Sequence, residues 1–317
     1  MNAVFPMAAC VAMLLMGVAG SAPAASKIAG EIATHTFESL SLERGPAGHR
    51  YRVSILRPAA PPPADGYPVL FLLDGNAAEQ DLTKTGALAT PEGRSVAIVT
   101  IGYDTDQRFE VTARAYDYTP ALVPGTPEHD PLDATRRSGG ADGFLTFIRT
   151  TILPAVERQI PVDRRRLGLW GHSYGGLFVL HALQHTDTFH CHIAASPSLW
   201  WRDGYLFKRR DDFRERLAGR RFGLLVTRGT AETTRRPSDD EPRALARWWQ
   251  TSSVPPNAAE EFAGSLQSLP GARIAYLELP GLSHGEAFAA SLNPTLRWFS
   301  DCASANTIST SDDPKIR

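Results

Sequence analysis

The chain has 317 residues, 43% of them hydrophobic and 21% charged, with a formal net charge of −1. That balance is the composition of an ordinary soluble globular protein, and one α/β domain routinely fills this length. The near-neutral charge gives no electrostatic basis for nucleic-acid binding. No G-x-G-x-x-G, P-loop, C-x-x-C or H-E-x-x-H pattern occurs, so no nucleotide, zinc or other cofactor is expected.

Taken in order, the first 25 residues stand apart. Val11 to Val18 is an apolar run too short to span a bilayer, and Ala22-Pro23-Ala24 is a small-x-small site just after it. The pattern predicts a cleaved secretory signal over residues 1–25, although no Lys or Arg precedes Lys27. Removing it leaves Cys191 and Cys302, an even count that permits one disulfide in an oxidising compartment. Both positions equally suit buried thiols, so the pairing stays open.

The remainder, residues 26–304, alternates between strand and helix patterns. Thr34 to Leu42 and Arg50 to Arg57 read as edge strands joined by a Gly45-Pro46-Ala47-Gly48 turn. Val69 to Leu73 is a continuous apolar run, as expected of a strand buried on both faces, and Ser95 to Ile101 repeats it. Phe144 to Ile160 has helical periodicity with a kink or break at Pro154. Further strands are predicted up to Gly171, at Cys191 to Ala195, at Phe222 to Thr227 and at Arg273 to Leu279. Helices are predicted from Leu177, at Asp211 to Leu217, Pro242 to Trp249, Asn257 to Leu266 and Glu286 to Phe299, with a frayed tail over 305–317. Strands alternating with helices imply a mainly parallel central sheet flanked by helices, with chemistry at the carboxyl ends of the strands.

One stretch carries that chemistry. Gly171-His172-Ser173-Tyr174-Gly175 matches G-x-S-x-G, the nucleophile elbow of α/β-hydrolases, with a strand before it and a helix after it. The tight turn strains the serine and calls for glycine two residues before and after it. Gly176 follows, where helix and strand pack closely.

In this fold the triad runs in the order serine, acid, histidine. Of nine histidines, His35, His49 and His129 precede Ser173. His172 occupies the elbow's x position, and His181, His185, His190 and His192 lie too early. His284, in a loop between the last strand and last helix, is therefore the candidate base. Among the intervening carboxylates, Glu232 follows the penultimate strand and fits the acid best; Asp239 or Asp240 could loop back instead. The backbone amides of Tyr174 and Asn76, the latter following Asp74-Gly75 after the first buried strand, are the expected oxyanion donors.

Leu72-Leu73-Asp74-Gly75-Asn76, Arg114-x-Tyr116-Asp117-Tyr118-Thr119-Pro120, Trp170-Gly171-His172-Ser173-Tyr174-Gly175-Gly176 and Ser196-Pro197-Ser198-Leu199-Trp200-Trp201 together resemble the putative-esterase family of α/β-hydrolases. Within it they are most similar to the trilactone siderophore esterases that open ferric enterobactin and salmochelin in the bacterial periplasm. The resemblance covers roughly residues 30 to 300. It implies Ser173 as nucleophile, His284 as base and Asn76 with Tyr174 as oxyanion donors, and leaves the acid poorly defined or absent. It also implies a periplasmic enzyme acting on a small ferri-siderophore. Arg114 falls where the family places a cation over the substrate cleft, though it could instead pair with Asp117 in a loop salt bridge. An anionic tris-catecholate calls for cations beside flat apolar surface, and Arg114, Trp200, Trp201 and Arg202 are the residues expected to supply them. The tryptophans could equally be core packing. A general carboxylesterase, thioesterase or acyltransferase is the alternative enzyme, and a ligand-binding degenerate hydrolase the non-enzymatic one.

Overall fold

Apolar runs flanked by turns build the centre of this computed structural model, which describes residues 34–308 apart from 43–44, 124–125, 127 and 233–235. The expected signal segment and the last nine residues lie outside the described residues. The chain enters an antiparallel pair, β1 (His35–Leu42) and β2 (Tyr51–Pro58), then β3 (Tyr67–Leu73), α1 (Gly75–Lys84), β4 (Ala97–Tyr103) and α2 (Val111–Asp117). A hairpin, β5 (Glu128–Asp130) and β6 (Asp133–Ser138), precedes α3 (Ala141–Phe147) and α4 (Leu153–Glu157). The elbow strand β7 (Val162–His172) and helix α5 (Tyr174–His185) follow, then β8 (Cys191–Ala195), α6 (Trp201–Lys208), α7 (Arg210–Arg216) and β9 (Phe222–Gly229). The chain closes with α8 (Pro242–Thr251), α9 (Ala258–Leu266), β10 (Ala272–Leu279), α10 (His284–Ala290) and α11 (Leu292–Ile308).

Eight strands form one sheet in the order β1-β2-β4-β3-β7-β8-β9-β10, parallel from β4 onward, with β5 and β6 in a separate ribbon. Strand alternation divides the core in two. Val69, Phe71 and Leu73 of β3 face one apolar cluster with α3, α4, α5 and α9, while Leu70 and Leu72 face the other with α1, α10 and α11. Every residue of β3 is buried, as a parallel strand covered on both faces requires. The chain has the α/β-hydrolase fold.

Several sequence expectations need correction. β2 is not an edge strand; it lies between β1 and β4. The break expected at Pro154, which has no N–H to donate, is present as a π-helical turn at Ile148–Ile152 just before it, but the helix ends at Glu157 rather than Ile160. The last helix is two, because Pro294 in the first turn of α11 cannot continue the ladder of α10. Residues 305–308, expected in the frayed tail, continue α11. The two cysteines, left open by the sequence, form a disulfide that ties β8 to α11 across 111 residues, with Cα atoms 6.1 Å apart.

Candidate active site

The carboxyl ends of β7, β8, β9 and β10 converge on one cleft of about 390 Å³. Ser173 follows β7, Ser196 and Trp200 follow β8, Glu232 follows β9 and His284 follows β10, and all five line it. Ser173 sits at φ 59° and ψ −117°, a conformation that L-residues hold only when their surroundings impose it. A Cβ on Gly171 would run into the Gly175 backbone, so the residue two before the serine must be glycine. The matching expectation for Gly175 is corrected: a Cβ there would meet Asp74 and Leu73 at an ordinary 3.6 Å. The tight position is Gly176, where a Cβ would come within 3.0 Å of the Ala195 carbonyl oxygen as α5 passes over the end of β8.

From that turn Ser173 Oγ reaches His284 Nε2 at 3.0 Å, and His284 Nδ1 reaches Glu232 Oε2 at 2.9 Å. The other oxygen of Glu232 accepts bonds from Ser196 Oγ at 2.6 Å and from the Gly229 amide at 2.8 Å. Burial works against the carboxylate's charge, but the bonds from His284, Ser196 and Gly229 outweigh it and hold the carboxyl below its ordinary pKa. With Nδ1–H donating to a carboxylate, Nε2 carries the lone pair that faces the serine hydroxyl. The arrangement can transfer a proton from Ser173 and stabilise the imidazolium that results. Asp239 and Asp240, the alternative acids, are both exposed, the first paired with Arg236 and the second accepting from Ser238 Oγ.

Three left-handed non-glycine residues surround this line: Asp74 after β3 (φ 52°), Ser173 after β7 (φ 59°) and Ser196 after β8 (φ 43°). Those strands are neighbours in the sheet, so backbone strain is gathered where the cleft is. Asp74 is braced by Arg114, whose Nε and Nη2 donate to its two oxygens at 2.8 and 2.9 Å, while Nη2 also lies 3.4 Å from the His172 carbonyl oxygen. Burial would lower the Arg114 pKa, yet the adjoining Asp74 carboxylate raises it, so the guanidinium stays charged.

The structure separates the expected substrate residues. Arg114 lines the cleft, but its charge is matched by Asp74, and it does not pair with Asp117. Asp117 is instead wholly buried and accepts bonds from Tyr51 and Tyr103. Trp200 lines the cleft with its ring 5.8 Å from that of Tyr174. Trp201 does not: it is 1% exposed and belongs to the core. Arg202 does not either, since it turns to the His129 carbonyl oxygen and the Glu128 carboxylate. The cause is local: Arg202, Asp203 and Gly204 all have positive φ, and this left-handed stretch swings consecutive side chains apart. Tyr174 opens α5 and also lines the cleft. The Asn76 side chain turns away from it, bonding the carbonyls of Tyr103 and Thr105 and the Tyr103 amide, which pins the first turn of α1 and leaves only its backbone N–H for an oxyanion role.

Sequence reasoning missed several residues here. Arg136, on the hairpin, and Arg228, at the end of β9, line the cleft as further cations. Ser198 Oγ lies 3.2 Å from Ser173 Oγ. His172, set aside as the elbow's x position, donates from Nε2 to the His284 carbonyl oxygen at 2.9 Å. Burial drives its pKa well below the ordinary histidine value, which keeps it neutral. The signal available for the serines was their place, directly after a strand next to the elbow.

Residues 46–299 match the model of the family described as "Putative esterase". The chain belongs to that family. An apo-salmochelin esterase of Escherichia coli O6:H1 is 32% identical to this esterase over 269 residues, covering 82% of this chain and 78% of its own. Among solved structures, the siderophore hydrolase EstA from Aspergillus nidulans is 25% identical with a TM-score of 0.68, covering 87% of this chain and 97% of that one. The enterobactin hydrolase IroE in complex with DFP is 30% identical with a TM-score of 0.59, covering 86% and 97%. This esterase is thus an ester-hydrolysing enzyme.

Proposed function

We propose that this esterase cleaves the ester bonds of a trilactone catecholate siderophore, presented as its iron complex, through an acyl-enzyme on Ser173. The observation that carries the mechanism is the unbroken line Ser173 Oγ, His284 Nε2, His284 Nδ1, Glu232 Oε2, with steps of 3.0 and 2.9 Å. His284 takes the hydroxyl proton as Ser173 Oγ bonds to the ester carbon, then returns it to the departing alkoxide. Water attacks the acyl-enzyme by the same relay and restores the serine. The amides of Tyr174 and Asn76 hold the oxyanion. Each lies four residues beyond the registered pair Trp170 and Leu72 on neighbouring strands, in the first turn of its helix, which supports the pairing.

For the substrate, support comes from the lining. Arg228 provides a cation, Arg136 a second one shared with Asp133 on the hairpin, and Trp200 an apolar face, in the same cleft as Ser173. Relatives named for salmochelin, enterobactin and other siderophores support the same class. A periplasmic setting is supported by the disulfide, which persists in oxidising compartments; among the described residues no helix is long and apolar enough to cross a membrane. The test compares kcat/KM on ferric enterobactin with that on a neutral nitrophenyl butyrate. The siderophore should be preferred by a wide margin, and Arg228→Ala, which also releases the Glu232 carbonyl, should cost the siderophore at least tenfold more in kcat/KM than the neutral ester, more so at low salt. Equal activity on both substrates would make this a general carboxylesterase.

A further inference from the structure

The far end of the nucleophile helix carries a cluster that the esterase chemistry does not use. His181 and His185 lie four residues apart on α5, and so on one face of it, with their rings stacked at 4.1 Å. Asp142, in the first turn of α3, meets them, with its Oδ1 2.8 Å from His181 Nε2. One ligand atom from each of the three lies within 4.8 Å of the others. We infer that Asp142, His181 and His185 form a binding site for a single divalent transition-metal ion, with Zn²⁺ as its probe.

The surroundings suit a ligand set. His185 donates its Nδ1–H to the His181 carbonyl oxygen at 2.8 Å, which leaves Nε2 with the free lone pair. A histidine ligand is commonly oriented by such a bond from its other nitrogen. His181 is 7% exposed, so its ring is fixed by packing and already directed at the Asp142 carboxylate. Two imidazoles and one carboxylate are the borderline donor set of zinc rather than of magnesium or calcium. Bonds of 2.0–2.1 Å in a tetrahedral site require donors about 3.4 Å apart. The present spread closes to that value by rotating the exposed side chains of Asp142 and His185, while the His181 ring proton shifts from Nε2 to Nδ1 and the ion takes its place between Nε2 and the Asp142 carboxylate. Open positions would be filled by water.

The site is separate from catalysis. His185 lies eleven residues beyond Tyr174, roughly 16 Å along the helix at 1.5 Å per residue. An ion there would clamp α5 to α3.

The experiment is calorimetric titration of untagged, chelator-treated protein with Zn²⁺, paired with thermal melting. Wild type should bind one ion per chain at this site and melt at a higher temperature in its presence. His185→Ala and Asp142→Asn should each lose at least about tenfold in affinity, the least expected on removing a ligand, and lose the melting shift. Both should keep wild-type ester hydrolysis, which certifies their fold. Ca²⁺ should give no comparable binding. Zinc binding that is absent in wild type, or unchanged in both variants, overturns the inference.

Discussion

Glu232→Gln should damage this esterase more than Glu232→Ala does. Both donors to Glu232 Oε1, the Gly229 amide at 2.8 Å and Ser196 Oγ at 2.6 Å, point at an acceptor. A glutamine must therefore keep its carbonyl oxygen there, because turning its NH₂ toward the Gly229 N–H would oppose two donors. That leaves the NH₂ facing His284 Nδ1 where the carboxylate had accepted at 2.9 Å. Nδ1 must then accept, the ring proton moves to Nε2, and Nε2 presents a hydrogen to Ser173 Oγ instead of a lone pair. The wrong tautomer in a triad costs about 10⁴ in kcat, so a loss of about 10³–10⁴, or about 4 to 5.4 kcal/mol of barrier, is expected. KM should change little, since Glu232 acts through His284. Alanine leaves the ring free to take either tautomer, and its loss should be smaller. The assay is steady-state hydrolysis of a nitrophenyl ester by the two variants, with melting curves to confirm folding. A loss under about threefold in Glu232→Gln, or an alanine variant as slow as the glutamine one, would refute the tautomer argument.

Three further outcomes follow from the same geometry. Ser196→Ala removes one of the two anchors on Glu232 Oε1 and should lower kcat about tenfold at constant KM; an unchanged kcat would deny Ser196 any part in positioning the acid. Replacing Cys191 and Cys302 with alanine opens a 111-residue closure and should cost about 3–5 kcal/mol, read as a lower urea midpoint; an unmoved midpoint would contradict it. Burial lowers the pKa of His172 and of His192, the latter to about 3, so their contribution to stability is complete above the unfolded value near pH 6.5 and is lost as pH falls, because the unfolded chain binds protons first. His192 should cost about 2 kcal/mol between pH 6.5 and 5, with His172 acting in the same direction, and a flat stability profile over that range would be inconsistent with buried neutral histidines.

Much of this architecture is legible in the sequence because it rests on local pattern and chain order. The run from Val69 to Leu73 declares a two-sided strand, and the glycines around Ser173 declare the turn. His284 emerges from order alone, and Glu232 from its place after β9. What escapes is long-range or polar. The hairpin carrying Arg136 reads Glu-His-Asp and Asp-Ala-Thr-Arg-Arg-Ser, without the apolar alternation that marks a strand. Arg114 finds its partner forty residues away at Asp74 rather than nearby at Asp117. Trp200 and Trp201 look interchangeable in sequence, and only the tertiary packing, which buries Trp201 in the core and leaves Trp200 on the cleft, separates them.

The residues of the relay are not equally secured. Ser173 issues from β7, held on both sides by β3 and β8, whereas His284 issues from β10, which among the described residues has β9 as its one neighbour in the sheet and stays partly open to solvent along most of its length. Outer strands open at lower free energy than central ones. On warming, the imidazole should drift from the hydroxyl while the middle of the sheet is intact, so this esterase should fall silent before it unfolds. The bridge from Cys302 to Cys191 limits that drift by fastening the chain back to β8 eighteen residues past His284. Reducing it should widen the interval between loss of turnover and loss of far-ultraviolet signal on a single heating ramp.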